Sequence, residues 1–187
     1  KLLLVAAFTS LSILVFAQIP TKGSVAQYNF TGNAKDSSGN AYDGTVSNAT
    51  LTTDRFGNAN AAYNFNGTNA SIEIPITGLK NDNYSYSAWV NASTIPSSGA
   101  YGYALAVGNI GGGQTLGINN NSMKGWAAGS YSATAPVLAL VARGRQPFVG
   151  DWVHLTCVRS DSFLDLYIDG KLNDLPDRSK IQFSYAF

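Results

Sequence analysis

The sequence predicts an all-β fold, a sandwich of two antiparallel sheets, and three observations carry that prediction. Apolar and aromatic residues alternate with polar ones over short runs, the period of a half-buried strand. Clusters of Gly, Asn, Ser and Asp separate those runs, as turns require. No helix-length apolar periodicity interrupts the pattern after residue 18.

The first seventeen residues stand apart. Lys1 is followed by LLLVAAFTSLSILVFA, with Ala17 as a small residue before Gln18. Interrupted by Thr9, Ser10 and Ser12, this run falls short of the roughly 20 apolar residues that span a bilayer. It reads as a secretory signal peptide over 1–17 rather than a membrane anchor. Export places the mature chain outside the cell or on its surface, and no later segment reads as a membrane span.

The strands follow in order. Ala26, Tyr28 and Phe30 alternate with Val25, Gln27 and Asn29, and Ala61, Tyr63 and Phe65 repeat the pattern. Ile72 and Ile74 flank Glu73 and are expected inward. In 84–92, Tyr84, Tyr86, Ala88 and Val90 share one face, and Ser85, Ser87, Trp89 and Asn91 the other. Further strands are expected at 102–107, 114–118, 137–142, 152–159 and 163–168. Asp169-Gly170 predicts a tight turn, because both residues tolerate positive φ. Residues 93–101 and 108–136, rich in Gly, Ser, Asn and Ala, read as loops or short outer strands. Tyr28, Phe30, Tyr63, Phe65, Ile72, Ile74, Leu155, Leu164 and Leu166 are the expected core.

Charge narrows the function classes. Of 12 basic residues Lys1 is one, so eleven face the 11 acidic residues once 1–17 are removed. A neutral chain has no electrostatic reason to bind nucleic acid or an anionic membrane. A single cysteine, Cys157, rules out an internal disulfide framework, so burial must supply the stability.

Three stretches resemble the laminin-G-like domains of the concanavalin A-like group. They are YNFTGNAKDSSGNAYDGTV from Tyr28, ATLTTDRFGNANAAYNFNG at 49–67, and the coupling of Trp152 and His154 to LDLYIDG at 164–170. The resemblance implies one jelly-roll domain over 18–187, and Trp89 stands where such domains carry an aromatic in an early core strand. Such domains continue past the Asp-Gly hairpin, so a sandwich incomplete at its C-terminus is expected, with IQFSYAF at 181–187 as a strand lacking its neighbour. The fold hosts lectins, adhesion modules and hydrolases alike.

Catalytic chemistry finds little support. Retaining glycosidases need two carboxylates about 5–5.5 Å apart. The only Glu is Glu73, read as an outward strand residue, and Asp165 and Asp169 share a face but Asp169 belongs to the turn. His154 is the sole histidine, read as a packed or rim residue on the face opposite Val153, Leu155 and Cys157. No Ser sits in a nucleophile elbow.

Two features remain for binding. In DSSGNAYDG, Asp36, Asn40 and Asp43 could serve a Ca²⁺ ion, which takes six to eight oxygens. The resemblance also implies such an ion, while the same residues are those of any turn. Tyr101, Tyr103, Trp126 and Tyr131, with Asn120 nearby, could form an aromatic platform for sugar. Alternatively those rings close the ends of the sandwich. The leading expectation is a non-catalytic recognition module for a glycan or a cell-surface glycoprotein. Its rivals are an appended or degenerate relative of a glycoside hydrolase and a structural spacer in an adhesin.

Overall fold

A computed structural model describes residues 22–77, 83–109, 112–120, 125–131, 140–143, 145–159 and 164–173. The signal-peptide run at 1–17, the expected C-terminal strand at 181–187 and residues 137–139 of the expected 137–142 strand lie outside the described residues. Among the described residues every regular element is a strand, and no helix is long and apolar enough to cross a membrane. The chain divides into two compact units, Lys1–Pro75 and Ile76–Phe187.

Among its described residues the first unit holds four three-residue strands. β1 (Thr45–Ser47) pairs antiparallel with β4 (Ser71–Glu73), and β2 (Thr50–Thr52) with β3 (Ala62–Asn64). Its packing is aromatic: the Phe30 ring lies 5.9 Å from that of Tyr28 and meets Tyr63 edge-on at 5.3 Å. Phe30 adopts φ of 55°, a region bulky side chains rarely enter. Instead of a long strand, the run at 25–30 contributes a single bridge, Tyr28 to Asp36. Two expected core residues are exposed, Phe65 at 46% and Ile74 at 36%. Each lies one residue past the end of its strand, β3 or β4, where the inward–outward alternation no longer binds.

The second unit is a two-sheet sandwich. One sheet has the order β12-β11-β10-β5, from β5 (Tyr84–Asn91), β10 (Trp152–Arg159), β11 (Leu164–Ile168) and β12 (Lys171–Leu172). The other has the order β6-β7-β8-β9, from β6 (Tyr101–Asn109), β7 (Gly112–Asn119), β8 (Gly125–Tyr131) and β9 (Leu140–Arg143). Every pairing is antiparallel. The Asp169-Gly170 turn forms as expected, with φ of 51° and 74°. β7 contains the expected 114–118 strand, while β8 corrects the reading of the rest of 108–136 as loops or short outer strands: small residues with weak strand propensity pair along its whole length.

The core lies between these sheets. Val153, Leu155, Cys157, Leu164, Leu166 and Ile168 from one sheet meet Leu116, Ile118, Trp126 and Ala128 from the other. Burying each Val, Leu or Ile contributes about 1.5–3 kcal/mol. The Tyr86 hydroxyl crosses between sheets and donates to the Thr115 carbonyl at 3.2 Å. Desolvation pushes the Cys157 thiol up to about 11, so this cysteine acts as a small core hydrophobe. Trp89 lies in the core strand β5 as expected, on its outward face, because Tyr86, Ala88 and Val90 take the inward parity.

Candidate functional site

The outward face of β6-β7-β8 positions the main candidate. On β7, Leu116 and Ile118 point into the core, so Thr115, Gly117 and Asn119 take the outward parity. Register places Tyr101 opposite Asn119 and Tyr103 opposite Gly117, while Gly117 opposes Ala127 and Thr115 opposes Gly129 on β8. The tyrosines are two residues apart on one strand and therefore share a face. Their rings lie 6.1 Å apart with planes only 3° from parallel. Tyr101 is 43% exposed and Tyr103 61%.

Glycine shapes the face. A Cβ on Gly117 would stand 2.0 Å from the Gly102 carbonyl oxygen, and one on Gly113 2.4 Å from that of Val107. Both glycines carry outward parity, so β6 leans over the outward side of β7. A register shift between Tyr103 and Leu105 accompanies that lean. The result is a shallow hollow with the tyrosines as its wall and Thr115, Gly117, Ala127 and Gly129 on its floor. Small residues form the floor, and Asn119, only 5% exposed, lines the end opposite Tyr101.

The other expected contacts fall elsewhere. Trp126 is 2% exposed and packs in the core, so it offers no surface platform. Its parity on β8 matches Ala128, and its partner across the sheet is the core residue Ile118. The indole Nε1 is buried without a hydrogen-bond partner. Asn120 serves the loop before β6: its side-chain amide donates to the Pro96 carbonyl, and its backbone exchanges bonds with Gly99 and Ala100 at 2.9 and 3.0 Å. Tyr131 ends β8 opposite Gly113, six residues along β7 from the partner of Tyr101, or about 20 Å. Its side chain lies outside what is described. Of the expected platform, only Tyr101 and Tyr103 come together.

In the first unit, Asp36, Asn40 and Asp43 do share one loop, but its chemistry is that of a turn. Asp36 Oδ1 accepts the N–H groups of Gln27 at 2.9 Å and Ser38 at 2.8 Å. Its Oδ2 accepts the Ser38 hydroxyl at 2.8 Å and the Tyr42 N–H at 3.1 Å. A carboxylate has about four lone-pair sites, and all are used. Desolvation acts to raise the Asp36 pKa, yet the hydrogen bonds from Gln27, Ser38 and Tyr42 outweigh it and hold the group at about 2. Asp43 Oδ1 accepts the Asp36 N–H, and the Asn40 amide donates to the Ser24 and Val25 carbonyls. Asp36 therefore has no lone pair left for a cation in this arrangement, and no cluster of three His, Cys, Asp or Glu occurs among the described residues.

The fold has known counterparts. The model of the concanavalin A-like lectin/glucanases superfamily, a laminin-G type, matches residues 66–179. A solved structure of domain 4 of AbnA, a GH43 extracellular arabinanase from Geobacillus stearothermophilus in complex with arabinotriose, is similar with a TM-score of 0.60. Identity is 21%, covering 81% of this chain and 76% of that one, a likeness of fold. No curated protein matches the chain.

Proposed function

Since the chain belongs to the concanavalin A-like lectin/glucanases superfamily, we propose that it is a non-catalytic, exported recognition module that binds a saccharide on its β6-β7-β8 face. The observation that carries this reading is the near-parallel, exposed pair Tyr101 and Tyr103 beside a floor of small residues. Sugars present flat C–H faces that pack on aromatic rings, and their hydroxyls need polar neighbours such as Thr115 on the floor. Arabinotriose in the similar arabinanase domain adds weight to a glycan as the ligand class.

Calorimetric titration of the chain with arabinotriose and a panel of plant and bacterial oligosaccharides tests the proposal. Tyr103→Ala is expected to weaken binding by about tenfold, a loss of ~1.4 kcal/mol. Tyr101→Ala should do the same, with the unfolding transition of each variant retained. Undiminished affinity in both variants would place the ligand elsewhere.

A further inference from the structure

The opposite sheet of the second unit carries a separate aromatic group on its own outward face. β5 is otherwise polar there, with Ser85, Ser87 and Asn91, yet Trp89 shares that parity and is 43% exposed. Register sets Trp89 beside His154 on β10, and the two rings lie 5.0 Å apart at 33°. The row continues into the β11–β12 turn. The Asp169 N–H donates to the His154 carbonyl at 2.8 Å, and the His154 N–H donates to Asp169 Oδ1 at 2.9 Å. Asp169 Oδ2 in turn accepts from the Arg145 guanidinium at 3.1 Å, with both side chains about half exposed.

Trp89, His154, Asp169 and Arg145 thus form a fixed line: a part-exposed indole at one end and an ion pair at the other. An exposed indole supplies apolar area to whatever lies on it. The ion pair supplies donors and acceptors side by side, the complement of two adjacent hydroxyls. Because the pair is neutral as a unit, it favours an uncharged ligand over a uronate or a phosphate. Backbone hydrogen bonds, rather than a mobile loop, hold Asp169 in place.

We propose that this line is a second saccharide platform, specific for neutral sugars with vicinal hydroxyls, on the face of the sandwich opposite the tyrosine pair. It depends on different residues from the first site, and either can exist without the other.

The test is the indole N–H signal of Trp89 in ¹⁵N-tryptophan-labelled full-length chain, titrated with arabinotriose, other neutral oligosaccharides and an oligogalacturonate to ~10 mM. The Trp89 signal is expected to shift saturably with a neutral sugar, in the native chain and in the Tyr101→Ala/Tyr103→Ala variant alike, while the buried Trp126 signal stays still. Asp169→Asn and Arg145→Gln should each weaken that binding by about tenfold. A Trp89 signal unmoved by every sugar would overturn the proposal, as would a shift lost in the double tyrosine variant or unchanged in both ion-pair variants. Loss of binding in the tyrosine variant by calorimetry, with Trp89 never moving, would leave the first site standing and remove the second.

Discussion

Gly117→Ala adds one methyl group at the point where β6 leans over β7. The new Cβ would lie 2.0 Å from the Gly102 carbonyl oxygen and 3.0 Å from the Gly102 carbonyl carbon and Tyr103 Cα. All three are backbone atoms, so no rotamer change can relieve the clash, and β6 must move away. Overpacking of this kind costs about 1–3 kcal/mol. Moving β6 also strains the ladder at Gly102–Ile118 and Tyr103–Gly117, where each lost hydrogen bond adds about 0.5–1.5 kcal/mol. The expected destabilisation is therefore about 2–4 kcal/mol, a large share of a typical 5–15 kcal/mol stability. All three tryptophans, Trp89, Trp126 and Trp152, belong to the second unit, so indole fluorescence during urea unfolding reports that unit alone. Ala127→Gly, on the neighbouring strand, provides a propensity control expected to cost about 0.5–1 kcal/mol. If Gly117→Ala unfolds at the native urea midpoint with an unchanged slope, β6 does not lean over β7 and the hollow beside the tyrosines is not built as described.

Further outcomes follow from other groups. Trp126→Phe should alter stability only modestly, by about 1 kcal/mol, because it removes a buried unpaired N–H along with some volume, and should leave saccharide affinity unchanged; a lost affinity at full stability would return Trp126 to the site. Asp36→Ala should lower the calorimetric melting temperature equally with and without millimolar Ca²⁺, and a Ca²⁺-dependent rise abolished by that variant would reinstate the ion. Asp36 sits at about 2 in the fold against an ordinary 3.8, so its stabilisation is present above about pH 4 and lost as pH falls through 2; amide exchange at Ser38 should show the loop opening in that window and not above it. Cys157 and Tyr28 are displaced the other way, from 9.0 to about 11 and from 10.0 to about 12, both chiefly by desolvation. Their unfolded forms ionise first as pH rises, so stability should decline from pH 9 through 12, and alkylation of Cys157 below that range should proceed only at the rate of opening.

The alternation in β5, β10 and β11 could be read directly because each strand has one face against the core and one toward solvent. Val153, Leu155 and Cys157 turn inward and His154 outward, as their spacing predicts. β8 could not be read that way. Its GWAAGSY holds no β-branched residue, and pairing with β7 and β9 makes it a strand. The same blindness misplaced Trp126, whose polar neighbours in sequence suggested a loop while its cross-strand partner Ile118 draws it into the core. Tyr101 and Tyr103 were legible as aromatics in a polar stretch, but not as a pair. Their shared face depends on the strand, and the hollow beside them depends on Gly113 and Gly117, whose role is visible only once β6 lies above them. The loop at 36–44 was ambiguous for a different reason: calcium cages and self-bonded turns draw on the same residue types, and only the structure shows that all four lone pairs of Asp36 are used by hydrogen bonds from Gln27, Ser38 and Tyr42.

The hollow beside Tyr101 and Tyr103 is shallow and open to solvent, and that openness has a kinetic meaning. A saccharide lying on two half-exposed rings meets little obstruction on arrival or departure, so residence should be brief and a single short oligosaccharide should be held weakly. A polymer changes the outcome without any new contact. Each departing unit leaves its neighbours within reach of the same rings, and the local concentration of sugar along the chain favours rebinding. Long glycans should therefore be retained far better than their fragments, with the gain in slower apparent release rather than in faster capture.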